Sequence, residues 1–507
     1  MAAAASFGLY LGNTSACLAI YKDENVDVVA NNAGDRVTAA VVAFNDSEKI
    51  IGLAAKSGLF RNGPVSVVHN KRLMHKDVDP VELELAIKSS PSKLIADSKQ
   101  LHYSVKRGDK NEKITPADIT TMIFEAMYDI STTAAHDDDE HNVVLCVPLR
   151  LSPESIRAWS RCAEAGGFKV LQTIGEPTAT CLAHGVGKDK KKTDLVLVYR
   201  IGGVTSEVTI IRAVGGAYTI VSTKYYPELG GNKLTQILTK YLGNEFSNKF
   251  KLDPTESRRS ISKLTAEADK CKHILSTMSS AHCFVESLYD GVDFSYNISR
   301  ARFENLIGSC ISEYIKPIED ILEATSHTVA DIDKIILCGG TMKIPKLQEK
   351  IGSLFPNGEV LTSRWSPDET MAIGAAIHSS LLLSHGMHDR DLNSRNVELH
   401  CLDKALGVQF DDLEPIILPE GTIVPVKIQT TIDVPKSSDG KTKVQIFERE
   451  NKDGGVSKKI GLISLNSNGG KLKVDTDLTE ASLNVHITDI ATSKKSSFRF
   501  GIHEDDS

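Results

Sequence analysis

Two stretches of this chain share one shape. "FGLYLGNTSACLAIY" (7–21) and "VLVYRIGGVTSEVTIIR" (196–212) each run an apolar segment into a glycine-containing turn and out into a second segment. Such segments, bounded by Gly and short polar residues, are the signature of a hairpin. A unit that recurs, once near the start and once in mid-chain, limits what the intervening sequence can build. It predicts two related lobes facing a shared ligand. The plain alternative is that any two β-hairpins look alike, and the pattern alone leaves both open.

The surrounding sequence is consistent with a layered α/β fold. "VVLCVP" (143–148), "DLVLVYRI" (194–201) and "KIILCGG" (334–340) are short continuous apolar runs, as expected of strands covered on both faces. "SPESIRAWSRCAEAGG" (152–167) reads as a helix, with Ser152 as cap, Pro153 in the first turn and glycines as the stop. "SPDETMAIGAAIHSSLLLS" (366–384) reads as a second helix with the same serine–proline opening. From about residue 400 the character changes to short alternating segments punctuated by "PKSSDG", "NKDGG" and "NSNGG", which predicts an antiparallel β-sandwich. The expected organisation is an α/β domain over 1–384, a polar linker over 385–399 and a β-sandwich over 400–507.

Composition narrows the class. A formal net charge of -7 and a pI near 6.1 give no whole-chain footprint for nucleic acid, so no direct nucleic-acid binding is expected. The nine cysteines include no C-x-x-C pair and are odd in number, which argues against a disulfide framework and for a reducing compartment. "MAAAASFGLY" lacks a basic leader, and no window approaches the ~18 apolar residues of a membrane span. A cytosolic location is therefore expected, with the N-x-S/T triplets at Asn13, Asn45 and Asn297 as chance matches. The charge runs "HDDDEH" (136–141) and "KDKKKT" (188–193) read as solvated loops.

Four turns carry the chemistry. "LGNTS" (Gly12, Asn13, Thr14) and "IGGVTS" (Gly202, Gly203, Thr205) offer glycine for close approach and threonine for a hydroxyl, a combination suited to an anion nest. "ELGGNKL" (Gly230, Gly231) and "CGGTMKIPKLQEKI" (Gly339, Gly340) place double glycines ahead of helices, where free amides attract phosphate. There is no P-loop: "GKT" at 440–442 would need glycine at 435, where Pro435 stands. Neither a G-x-S-x-G elbow nor an H-E-x-x-H helix occurs, and the histidines show no ligand spacing, so no metal site is expected. Arg200 stands just before the second turn, where metal-dependent phosphoryl transfer would usually want a carboxylate.

Read in order, "LGNTSACLA", "NKRL", "VPLRLSPESIRAWSRCAEAGGFKVLQTIGEPTATCLAHGVG", "IGGVTSEVTII", "ELGGNKL", "ESLYDGVDFSYNISRARFENL", "CGGTMKIPKLQ" and "SPDETMAIGAAI" span residues 6–384. This series resembles the 70-kDa heat-shock chaperone family and its two-lobed, actin-like nucleotide-binding domain. The tail resembles that family's peptide-binding sandwich through "LPEGTIVPVKIQTTID", "VQIFERE" and "ASLNVHITD". The resemblance implies ATP as ligand. Lys71 matches the lysine that orients the attacking water, Thr14 and Thr205 the phosphate-contacting threonines, and Glu176 and Pro148 the residues coupling nucleotide to the second domain. Lys272, Ser276, Gly339, Gly340, Lys343 and Asp368 match adenosine-side positions, while Asp269 and His273 replace Glu and Arg.

Three departures stand out. The chain ends at 507, just past the last sandwich strand, so the family's helical lid is not expected. The two aspartates that hold hydrated magnesium in the family are replaced by Tyr10 and Arg200, and the third acidic position is Glu207. The usual acidic-and-leucine linker is absent, with the more polar "NVELHCLDK" (396–404) in its place. A member altered in this way resembles the chaperone-like subunit of the ribosome-associated complex. That implies a zuotin-type J-domain protein as stable partner, contact with the ribosome through it, and an ordinary 70-kDa chaperone as indirect partner.

Charge sets the functional expectation. At 4 Å, with an effective dielectric near 20, two unit charges interact by about 4 kcal/mol. That is enough to make Arg200 repel a metal, or clamp a phosphate in its own right; a solvent-pointing Arg200 is the plain alternative. The expected function is an ATP-binding, non-catalytic chaperone subunit assisting nascent chains, with Mg²⁺ dispensable. Lys71, Glu176 and Glu207 then remain only as remnants of a catalytic set. Two other readings stand beside it: an active ATP-driven peptide chaperone, and a small-molecule kinase on the same scaffold. The kinase would need a carboxylate base at the cleft and would leave the sandwich unexplained.

Overall fold

The computed structural model describes residues 5–45, 48–75, 78–96, 101–108, 110–135, 140–187, 192–384, 404–413, 415–418, 426–436, 440–449, 458–466, 469–478 and 482–501. The proposed linker, and most of both charge runs, lie outside the described residues. The chain divides into two compact units, Met1–Asn393 and Ser394–Ser507.

The first unit is built on two sheets of one design. In the first, the order is Lys169–Gly175, Asn142–Val147, Ser6–Leu11, Ser15–Lys22, Asn25–Val28, with Thr38–Ala39 pairing on Ser15–Lys22. In the second, it is Glu359–Val360, Lys334–Cys338, Asp194–Ile201, Ser206–Val214, Ala217–Tyr226. Each has a three-stranded antiparallel meander joined to strands that run parallel to its first member. The two quoted hairpins are the equivalent first pairs. Both central strands are covered on both faces: Ser6–Leu11 is wholly buried, and Asp194–Ile201 is buried at every position but Leu195. This explains their continuous apolar runs.

Helices cover the sheets by burying one stripe each. Gly231–Phe250 lays Leu234, Leu238, Leu242 and Phe246 into the core of the second sheet, all at 0% exposure. Each such side chain contributes about 1.5–3 kcal/mol. Pro153–Ala165 starts as expected, with Ser152 Oγ accepting the Ser155 N–H at 3.2 Å. The second serine–proline helix differs from expectation: it spans Thr370–Ser384 and does not begin at Ser366. The carbonyl of Pro367 accepts the Gly339 N–H at 2.7 Å, so it is committed to the strand–turn of the second sheet rather than to a helical turn. This helix packs closely on the first sheet. A Cβ on Gly8 of that sheet would lie 2.1 Å from Ala376 N, and one on Gly374 would lie 1.8 Å from Ala179 O of the neighbouring helix Glu176–Ala183.

The second unit is a pair of antiparallel four-stranded sheets. Their orders are Ile416–Leu418, Ala405–Phe410, Lys441–Arg449, Lys458–Asn466, and Val426–Val434, Gly470–Leu478, Ser482–Asp489, Lys495–Gly501. Leu406, Val408, Phe410, Val444 and Ile446 of the first sheet share one core with Leu472, Val474, Leu478, Val485 and Ile487 of the second, as in a sandwich.

Candidate functional site

The glycine turns of the first unit converge. The Gly12 N–H donates to Ser15 O at 2.7 Å and the Gly202 N–H to Thr205 O at 2.9 Å, closing the two hairpins alike. They face each other: a Cβ on Gly203 would lie 2.5 Å from Thr14 Cγ2. Behind the second turn, Gly231 N–H donates to Gly202 O at 2.9 Å and Asn232 N–H to Gly203 O at 2.7 Å. Thr341 Oγ1 donates to Gly202 O at 2.9 Å. Gly339, at φ 90, passes so near Ile201 that a Cβ would sit 2.4 Å from its carbonyl oxygen. Only glycine accepts that angle without strain. Between Gly339 and helix Pro345–Gly352 a 3₁₀ turn intervenes, Gly340–Lys343, so the amides nearest this double glycine belong to that turn rather than to the helix. At "ELGGNKL" the helix begins at Gly231 itself.

A buried charged cluster lies where the turns meet. Glu176 opens the helix Glu176–Ala183 and is 1% exposed. Lys71 Nζ donates to its Oε1, and Arg200 Nε lies 2.9 Å from its Oε2, off the hydrogen-bond direction. Arg200 is 8% exposed, which rules out the solvent-pointing alternative. Its other end folds back on the turn, since a Cβ on Gly202 would lie 3.2 Å from Arg200 Nη1. Tyr10 repeats this in the first hairpin: a Cβ on Gly12 would meet its hydroxyl at 3.1 Å. Lys71 Nζ sits 4.7 Å from the Tyr10 ring centroid. Glu207 pairs across the hairpin with Arg200 and is 4% exposed.

These groups hold one another's charge. Burial would raise the Glu176 carboxyl, but Lys71 and Arg200 together outweigh it and keep it below the ordinary value. Burial raises the Glu207 carboxyl despite Arg200, with Glu176 adding to the rise. Burial also lowers Lys71, against the pull of Glu176, and raises the Tyr10 phenol well above its usual value.

The adenosine-side positions gather beside the same turns. Lys272 Nζ donates to Asp269 Oδ1 and Thr235 Oγ1, each at 2.7 Å, and to Gly231 O at 3.3 Å. Ser276 follows one helical turn later, with its hydroxyl donating to Lys272 O. Lys343 pairs with Asp368 at 2.7 Å, next to Gly340. Asn13 Oδ1 accepts the Arg72 N–H at 3.2 Å, so it ties the first turn to the Lys71 segment. Sequence reasoning missed the Glu176–Arg200 pair, the Asn13–Arg72 tie and Lys56, which reaches Asp269 at 2.8 Å. No local pattern signals these, because the partners lie on different elements. One signal was available: the duplicated sheet sets Tyr10 beside Cys146 and Arg200 beside Cys338 in equivalent registers.

A nucleotide and a divalent cation fit differently here. The convergent turns present partly exposed glycine backbone at Gly202, Gly203 and Gly340, which suits a polyphosphate, while Gly12, Gly230 and Gly231 are buried, the last two packed against Val204 and Thr341. A cation does not fit. Glu176 is already shared by two cations, and a buried phenol and guanidinium flank the space between the turns.

A family model described as "Hsp70 protein" matches residues 6–473, and the chain belongs to the Hsp70 family, whose members are chaperones that bind ATP. Within it, the chain is similar along most of its length to proteins named "Heat shock 70 kDa protein 14". The Danio rerio protein is 36% identical over 452 residues, covering 88% of this chain and 89% of the relative. The Bos taurus protein is 35% identical over 505 residues, 97% and 98% of the two chains. The Homo sapiens protein is 36% identical over 456 residues, 89% and 88%.

Proposed function

We propose that this chain is an ATP-holding member of its family that does not turn nucleotide over, and that it acts as a subunit rather than as an engine. The two sheet-bearing sides act as lobes locked together by bound ATP through linkage. The observation that carries this reading is Arg200, buried at the second turn and tied to Glu176. One guanidinium nitrogen is spent on that carboxylate, and Nη1, near Gly202, is the group offered to a phosphate. Thr14, Thr205, the paired glycines, Lys272, Ser276, Lys343 and Asp368 would hold the rest of the nucleotide. The partner reading rests on the family resemblance: a zuotin-type J-domain protein, ribosome contact through it, a cytosolic location, and assistance to nascent chains.

Calorimetry with ATP in the presence of EDTA tests the site, alongside single-turnover phosphate release. Binding that survives EDTA without release is expected; release at the pace of an ordinary family member overturns the reading. Arg200→Gln should weaken metal-free binding by about 10-fold or more, the loss of one charge-assisted contact. Recovery of the endogenous complex tests the partner. One J-domain protein at fixed stoichiometry, together with ribosomal proteins, is expected, and their absence removes this part of the proposal.

A further inference from the structure

Away from the charged cluster, a second ionic group joins the two sheet-bearing sides. Glu82, on helix Pro80–Ser89, is 4% exposed and accepts from both terminal nitrogens of Arg150, at 2.9 and 3.4 Å. Arg72 Nε stands 3.9 Å from the same carboxylate. All three belong to the first-sheet side, yet both arginines end on the second. The Arg150 guanidinium carbon lies 3.7 Å from the centroid of the Tyr225 ring, and Arg72 Nη2 donates to Pro227 O at 3.2 Å.

The contacts are continuous with the ligand-facing turns. Arg72 follows Lys71 directly, and its backbone N–H holds Asn13. Tyr225 lies at the end of strand Ala217–Tyr226, and Pro227 leads on to Gly230 and Gly231. Opening the two sides would pull Arg150 off its ring and Arg72 off its carbonyl. The ion pairs themselves survive opening, since all three groups lie on one side; what opening loses is the desolvated cation–π contact of Arg150 and the charge-assisted bond of Arg72 to the Pro227 carbonyl.

We propose that Glu82, Arg72 and Arg150, closed on Tyr225 and Pro227, form a clasp that limits the rate at which nucleotide leaves the turns. This rests on the reading that ATP sits between them. The test is the dissociation rate of a fluorescent ATP analogue, chased with excess ATP. Arg150→Ala and Tyr225→Ala should speed release by about 10-fold, the scale of one lost desolvated cation–π or ionic contact. Tyr225→Phe keeps the ring and should leave release unchanged, which separates the clasp from a general loosening. A folded Arg150→Ala protein whose release stays within a factor of two of the parent overturns the proposal. The readout is dissociation, so an active ATPase would sink the proposed function without touching the clasp. Should the analogue not bind, amide exchange over 225–231 in the nucleotide-free protein decides: faster exchange in Arg150→Ala is expected, and unchanged exchange overturns it.

Discussion

Arg200 holds Glu176 with one nitrogen and turns another toward Gly202, while its strand neighbour Glu207 stands across the hairpin. Such a residue is a structural keystone as well as a ligand group. Glu176→Gln should destabilise the first unit by about 3–5 kcal/mol at neutral pH, because it leaves Lys71 and Arg200 buried without their counter-charge. The pH dependence has a definite sign. The Glu176 carboxyl is held below its ordinary value of 4.5, so the unfolded chain takes up its proton first as pH falls. Its contribution is complete above that value and fades as pH drops through the lower, folded one. Denaturant unfolding at pH 7 and near pH 3 should therefore show the gap between parent and Glu176→Gln shrinking in acid. Arg200 itself was legible as the exceptional residue, since position before a turn is a local property. That it is buried, and that Glu176 is its partner, was not, because the pair joins a strand of one sheet to a helix following the other.

At the scale of elements, the duplicated sheet explains why two short turns form one surface. Each hairpin sits at the same place in the same strand order, and Gly203 of the second turn faces Thr14 of the first. Helix Thr370–Ser384 is held by absent side chains on two sides, against the first sheet at Gly8 and against helix Glu176–Ala183 at Gly374. Gly374→Ala would drive a methyl into the Ala179 carbonyl, whereas Gly340 has only Asp368 near, at 3.8 Å. Thermal unfolding should show Gly374→Ala losing about 1–3 kcal/mol or more through overpacking. Gly340→Ala should lose less than 1 kcal/mol, with its effect appearing in nucleotide affinity. The early start expected for this helix illustrates how element boundaries escape local reading. Serine–proline is a good opening for a helix, but the Pro367 carbonyl finds a long-range partner in Gly339 that no local signal contains.

For the whole molecule, two compact units imply two unfolding events whose response to ligand differs. Saturating nucleotide stabilises only the unit that binds it, by about 2.7 kcal/mol at a hundredfold excess over Kd. Scanning calorimetry with ATP and EDTA should move the transition of the 1–393 unit upward and leave that of 394–507 in place. A joint shift would mean that the nucleotide signal crosses between the units.

The sequence by itself determined the alternation of buried strands and covering helices, the sandwich-like tail and the four glycine turns. Each of these is written in local periodicity or in residues that only certain backbone angles accept. Tertiary structure alone decided that the turns face each other, that Glu176 is shared between Lys71 and Arg200, and that Arg150 reaches Tyr225. Those outcomes depend on which charged groups are forced into one dry space once the sheets are packed. A buried carboxylate must take whatever cations the fold brings within reach, and chain order carries no record of that distance.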